Sequence, residues 1–251
     1  MATKITINLH KGGVGKTSTT INLAAALHLK GKRVLIVDLD PQSNATVAVG
    51  IDPTTLKKNI NHLFSDIYLP AHKVIVQSPP ASGSMHILPS HPDLSKTEAG
   101  MNASSVGSIQ EIIKPLDELY DFIIFDTPPS ENFLTLNALV ASDLVIIPLQ
   151  AHFLALQGLE QVFEQIKNVN RGLNPSLKVH GILPTMVNPR TNVSRMVLEQ
   201  VRAKYGELVF PFSVDYSIKH SEASLYGVPL VFLDQYHQGT LAYNNLADTL
   251  L

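Results

Sequence analysis

Between a short apolar run and a longer amphipathic one lies the segment Lys11-Gly12-Gly13-Val14-Gly15-Lys16-Thr17-Ser18. Glycines let such a loop curl tightly, because a side chain would block close approach and resist a positive φ. Successive N–H groups, with the positive end of a following helix behind them, then face an anion. In that cradle Lys16 reaches the β- and γ-phosphates of a nucleoside triphosphate, and the Thr17 hydroxyl holds Mg²⁺. A glycine cluster alone reads equally well as a turn. Here the Lys-Thr pair and the flanking elements favour the phosphate reading. Two acidic strand ends fall where such a site needs them. One apolar run ends in Asp38-Leu39-Asp40-Pro41-Gln42, the other in Asp126-Thr127-Pro128-Pro129. Period-two geometry puts Asp38 and Asp40 on the same face. Carboxylates at the carboxyl ends of parallel strands point into the crevice where ligands bind. Asp126 suits a carboxylate that holds Mg²⁺ directly or through water. Asp40 suits a residue that orients or deprotonates an attacking water, near enough to share the ion's water shell. Taken singly, either carboxylate is also an ordinary strand-end or helix-capping group.

The elements that must position these groups follow a strand–helix rhythm. Short buried runs at Ile5–Leu9, Arg33–Asp38, Phe122–Asp126 and Leu144–Pro148 read as parallel strands, with Val179–Leu183 and Leu208–Phe210 as later ones. Helical spacing covers Thr17–Lys30, closed by Gly31, then Leu154–Val169, Val193–Tyr205 and a terminal segment Thr240–Leu251. Ser65–Ser108 carries five prolines and reads as short strands and loops rather than one long helix. The expected architecture is a doubly wound α/β domain spanning 1–251, a mostly parallel sheet with helices on both faces.

Composition narrows the function. The 251 residues are 45% hydrophobic and 16% charged, with net charge −2, which suits a packed core and excludes a uniformly basic coat. Without cysteine there is no disulfide framework, thiolate zinc site, iron–sulfur cluster or cysteine nucleophile. The ten histidines show no paired H-x-x-x-H spacing, so a metal beyond nucleotide-bound Mg²⁺ is unsupported. MATKITINLHKGG holds no long apolar segment, and no stretch is apolar enough to span a membrane. A cytoplasmic location is the expectation.

Lys11 adds a second resemblance-bearing feature, because an ordinary phosphate loop does not require a lysine at the start of its glycine run. KGGVGKTS, then VDLDPQSNAT, then FIIFDTPPS closely resemble the deviant Walker box of ParA-type partition ATPases, members of the ParA/MinD superfamily of P-loop NTPases. PLQAHFLALQGLEQV, TMVNPRTNVSRMVLEQV and KHSEASLYGVPLV extend the resemblance over nearly the whole chain. The resemblance implies ATP and Mg²⁺ as cofactors and a homodimer with two nucleotides sandwiched between subunits. Lys11 would reach across to the partner's phosphates, offsetting the charge of facing triphosphates. Hydrolysis, slow and stimulated by a ParB-type or other adaptor, would release the dimer. Residues 11–18 would bind nucleotide, with Met186 and Asn188 near the base.

The same resemblance implies nonspecific double-stranded DNA binding by the ATP dimer, and hence a nucleoid location. Arg190 and Lys219 occupy the family's basic positions, and Arg195, Arg202 and Lys204 add charge nearby, with Glu199 and Glu207 interleaved. Doubling a weak phosphate-binding patch is an effective route to affinity. The chain departs from the family where an IPRNVR-like run is replaced by Val214-Asp215-Tyr216-Ser217-Ile218-Lys219. Tyr216 takes an arginine position and Asp215 a proline position. No helix-turn-helix precedes the loop, so operator reading is not expected. After Lys219 there is no Lys or Arg, which argues against a basic membrane-binding helix. The cargo reads as a plasmid or chromosome, or alternatively a protein organelle such as a carboxysome. A small-molecule ATP-dependent ligase of the dethiobiotin synthetase type is the alternative of another class.

Overall fold

The structure is a computed structural model describing residues 1–66, 68–152 and 154–251. Phe153, inside the PLQAHFLALQ segment, lies outside the described residues. Among the described residues eight strands form one sheet: β1 (Thr3–Ile7), β2 (Val34–Asp38), β3 (Val76–Gln77), β4 (His86–Leu88), β5 (Phe122–Asp126), β6 (Leu144–Gln150), β7 (Lys178–Val187) and β8 (Val214–Asp215). Their spatial order is β3-β4-β2-β5-β1-β6-β7-β8, and every pairing is parallel except β3 with β4. The helices are α1 (Lys16–Leu29), α2 (Asn44–Ala48), α3 (Ile60–Ser65), α4 (Leu94–Gly100), α5 (Ser108–Ile113) and α6 (Phe133–Ala141). They continue with α7 (Ala155–Gly172), α8 (Asn192–Tyr205), α9 (Lys219–Tyr226), α10 (Leu230–Leu233) and α11 (Gln238–Asp248).

Period-two alternation decides which face each strand residue serves. On β5, Phe122 and Ile124 enter the cluster formed with α1 and α11, whereas Ile123 and Phe125 enter the opposite one with α3 to α6. On β6, Val145 and Ile147 pack beneath α7 and α8. Both faces are thus covered, as the near-continuous apolar runs require. The strands lie parallel at the centre, so β1, β2 and β5 all deliver their carboxyl ends to one edge of the sheet.

The central strands and long helices fall within a few residues of their expected bounds. The expected strand at Leu208–Phe210 is corrected: Gly206–Leu208 is a 3₁₀ turn, and Val209 makes only a single bridge to Ile182. The edge strand proper is Val214–Asp215, beside Thr185 and Val187. Phe210 is instead occupied in packing, lying over Gly181, where an added Cβ would come within 2.5 Å of the ring. The proline-rich region does supply short strands, β3 and β4, but also the seven-residue helix α4.

Two glycines make a close backbone contact between elements that line the cleft. Gly50, just beyond α2, and Gly227, which caps α9, approach so closely that a Cβ on Gly227 would sit 2.6 Å from the Gly50 Cα. Both have positive φ. Gly31, at φ +77°, has open space around it. Gly31→Ala is therefore expected to cost about 1–2 kcal/mol, the left-handed penalty alone. Gly227→Ala adds overpacking and is expected to cost about 3 kcal/mol or more. Urea denaturation of the two variants checks the ordering, and equal losses would remove the close approach as a constraint.

Candidate functional site

The loop between β1 and α1 is built as its composition demands. Gly13 (φ +72°) and Gly15 (φ +89°) take left-handed conformations, and Gly15 caps α1 without a side chain in the way. Val14 is buried, packed beside Leu9 and Leu149, and its carbonyl accepts a hydrogen bond from Thr185 Oγ1 at 2.8 Å. Val14 is thus the anchor of the loop and offers a ligand only its N–H. Lys16 is buried, with Nζ donating to the carbonyls of Leu9 and Lys11, each at 2.9 Å. Burial lowers its pKa, while Asp126 and Asp40 act the other way. The ammonium lies over the loop it must serve, already stripped of most of its water.

Asp126 ends β5 directly beneath α1. Thr17 Oγ1 donates to Asp126 Oδ2 at 2.7 Å, and Thr20 Oγ1 donates to Oδ1 at 3.0 Å. Burial pushes the Asp126 carboxyl up to about 6, against the lowering effect of these two hydroxyls. A hydroxyl and a carboxylate held this closely are the hard oxygen donors that Mg²⁺ prefers, so the residues present fit the ion. Thr20 was not foreseen from sequence. Its signal is the spacing, three residues after Thr17 on one helix face.

The strand end of β2 corrects one expectation. Asp38 does not face the crevice: it is fully buried, with Oδ1 accepting from Asp40 N–H and Oδ2 from Thr46 N–H and Oγ1. Asp40 does line the cleft, beside Lys16 and Thr17. Its Oδ1 accepts from Gln42 N–H at 2.9 Å, and burial raises its pKa. Lys11 is half-buried, and Nζ makes a long 3.4 Å hydrogen bond to Gln150 Oε1 at the end of β6. Among the described residues it has no carboxylate partner.

The cleft has two adjoining chambers that share Gly15, Ser18, Met186 and Ser224. The first, about 380 Å³, lies over the glycine loop. The second, about 320 Å³, extends towards Tyr216, His220 and Tyr243. A larger hollow of about 680 Å³ between α4, α6 and α7 holds none of the loop residues, so size does not mark the site here. Met186, at φ +50°, lines both chambers. Asn188 does not line them: its Oδ1 accepts from Arg190 N–H, and its carbonyl takes Thr191 N–H and Oγ1, shaping the turn into α8. Ser224 and Thr185, which also line the cleft, lie in segments that resemble the family but were not singled out as site residues. Arg190, Arg195 and Lys219 are exposed outside it, and Lys219 pairs with Glu222 at 3.1 Å. The basic residues near α8 are also partly neutralised, since Lys204 bonds Glu160. Among the described residues no group of three His, Asp or Glu side chains is placed to hold a metal ion, and no helix is long and apolar enough to cross a membrane.

A glycine loop capping a helix after the central strand, with a buried lysine and a Thr–Asp pair beneath it, defines a P-loop nucleoside triphosphatase. The particular family follows from relatives. The chain belongs to the family described as AAA domain, matched over residues 2–179, and within it to the ParA-type partition ATPases of the ParA/MinD superfamily. The chromosome partitioning protein ParA of Myxococcus xanthus is 38% identical over 250 residues, 98% of this chain and 87% of that protein. The sporulation initiation inhibitor protein Soj of Bacillus subtilis is 35% identical over 245 residues, covering 97% and 96%. A crystal structure named cobyrinic acid a,c-diamide synthase, from Mycobacterium smegmatis with ADP and magnesium, superposes with a TM-score of 0.85 at 35% identity, covering 100% of this chain and 94% of that one. The protein is an ATPase whose cofactors are ATP and Mg²⁺.

The raised Asp126 pKa has a testable sign. A carboxyl whose pKa is higher folded than unfolded contributes stability at low pH, and that contribution is lost as pH rises through about 6. In metal-free, nucleotide-free buffer, Asp126→Asn is expected to gain on wild type between pH 4 and pH 6, at up to about 1.4 kcal/mol per pH unit. The difference is expected to be flat only above about pH 8, once Asp38, whose pKa Asp126 helps to raise, has also lost its proton. Denaturation midpoints across that range check it, and a pH-independent difference would contradict the raised pKa.

Proposed function

We propose that the chain, acting as one domain over residues 1–251, is a partition ATPase that dimerises around ATP, binds DNA without sequence preference, and lets go after hydrolysis. The observation that carries this reading is Lys11. It stands beside the phosphate loop, half-buried and without an anionic partner among the described residues, while Lys16 already serves the loop from within. A second cation there is surplus to a one-subunit site, and useful where two triphosphates face each other.

The residues divide the work as follows. Backbone N–H groups of Gly12, Gly13, Val14, Gly15 and Ser18 donate to phosphate oxygens, with Lys16 beside them. Thr17 and Asp126 would hold Mg²⁺, with Asp40 close enough to act on it directly or through water, and the ion would supply positive charge against the phosphates. Asp40 orients the attacking water and accepts its proton. Met186 borders the nucleoside in the second chamber. Lys11 reaches the partner subunit's nucleotide, so dimer and γ-phosphate stand or fall together. Arg190, Arg195 and Lys219 contact DNA phosphates, and an adaptor of the ParB type stimulates turnover on the nucleoid. The family relatives named for chromosome partitioning support a replicon as cargo. A protein organelle is the alternative cargo under the same mechanism. The mycobacterial structure's name supports the other class, a small-molecule synthase or ligase.

Light scattering separates these readings at the dimer. Lys11→Ala is expected to remain monomeric with ATP, and Asp40→Ala to stay dimeric with ATP unhydrolysed. Unchanged dimers in the first, or normal hydrolysis in the second, would remove the assigned role.

Binding to random duplex DNA across a salt series tests the surface. It is expected only with ATP, with Arg190→Ala and Lys219→Ala each lowering the salt slope by about 1 per subunit. Absence of DNA binding with every nucleotide would favour the small-molecule class.

A further inference from the structure

Asp40 is gripped on both sides of its own main chain. Its N–H donates to Asp38 Oδ1 at 3.1 Å, and its carbonyl accepts from Ser90 Oγ at 2.7 Å. Asp38 Oδ2 accepts from Thr46 Oγ1 at 2.7 Å and from Thr46 N–H at 2.9 Å. Thr46 Oγ1 in turn accepts from Ser90 N–H at 3.1 Å. These contacts close a ring: Asp40 to Asp38, Asp38 to Thr46, Thr46 to Ser90, and Ser90 back to Asp40. Its members come from the end of β2, the loop after it, α2, and the segment after β4. Asp38, Thr46 and Ser90 are fully buried.

With Asp38 ionised, the hydrogens of the ring admit one arrangement. Backbone N–H groups can only donate, and the Asp38 carboxylate accepts three times. The Thr46 hydroxyl must therefore give its single hydrogen to Asp38 and take the Ser90 N–H on a lone pair. The Ser90 hydroxyl then has its hydrogen free for the Asp40 carbonyl. A closed and fully directed network in a dry interior fixes positions more tightly than its bonds taken separately. The Asp40 carboxylate itself receives only Gln42 N–H, on Oδ1, leaving Oδ2 without a hydrogen bond among the described residues.

We infer that Asp38, Thr46 and Ser90 are positioning residues for ATP hydrolysis, holding Asp40 where it can act on the attacking water. The inference rests on the role proposed for Asp40 above. Thr46 is the member that can be edited most cleanly, because valine keeps its shape and removes only the hydroxyl.

The experiment measures kcat and KM for MgATP in the full chain, in Thr46→Val, Thr46→Ser, Asp40→Ala and the double variant Thr46→Val with Asp40→Ala. Thr46→Val is expected to lower kcat about tenfold or more with KM changed less than about twofold, as when a group acting on water is misplaced by a fraction of an ångström. Thr46→Ser, which restores the hydroxyl, is expected to recover most of kcat. The double variant is expected to be no slower than Asp40→Ala alone, since the ring acts only through Asp40. Wild-type kcat in Thr46→Val, an equal fall in Thr46→Ser, or a further fall in the double variant would each overturn the proposal. If Thr46→Val is unfolded at the assay temperature by circular dichroism, Ser90→Ala is read by the same criteria. Normal turnover by Asp40→Ala would overturn the role of Asp40 itself. A slow Asp40→Ala beside a normal Thr46→Val would overturn the ring alone.

Discussion

Asp38 and Asp126 stand directly beside one another at the ends of adjacent parallel strands, and both are fully buried. Two carboxylates so placed repel each other and have lost their water, so burial and proximity raise the pKa of Asp38. The surrounding structure is organised to make this pairing tolerable. Hydrogen-bond donors converge on both: Thr17 and Thr20 on Asp126, Thr46 and the Asp40 N–H on Asp38. The buried Lys16 ammonium supplies nearby positive charge. On the reading proposed above, a divalent cation held by Thr17 and Asp126 would offset the repulsion between these carboxylates, so the acidity of the pair would favour the cofactor.

The central half of the fold was legible because it is repetitive. Uninterrupted apolar runs such as FIIFD and LVIIP have few alternatives to a buried parallel strand, and the helix after the glycine loop carries both its start and stop signals. The edges were harder. β3, β4 and β8 are two or three residues long, too short for a period to show. Leu208–Phe210 has strand-like composition, yet Gly206–Leu208 closes a 3₁₀ turn, and what pairing remains is a single bridge with Ile182.

The site divides along similar lines. Lys16, Thr17, Asp40 and Asp126 were readable because their chemistry is tied to fixed spacing from a strand end. Asp38 was misread because two residues on the same strand face need not share a destination once the chain leaves the sheet after the first of them. Thr46 and Ser90 were invisible, being ordinary buried hydroxyls 44 residues apart whose relation exists only in three dimensions. Asn188 shows the reverse case: a polar residue near the cleft by sequence, whose Oδ1 and carbonyl serve its own turn.

The crossing of Gly50 and Gly227 joins the two sides of the cleft in a way side chains could not. α2, which lines the first chamber, and α9, which lines both, meet there main chain to main chain. Side-chain contacts can re-pack through rotamer changes and absorb a small shift; two backbones in contact cannot. The pair therefore fixes how near α2 and α9 lie at that point. Sequence change is free to alter the side chains that line either helix, while their crossing is kept by the absence of two side chains.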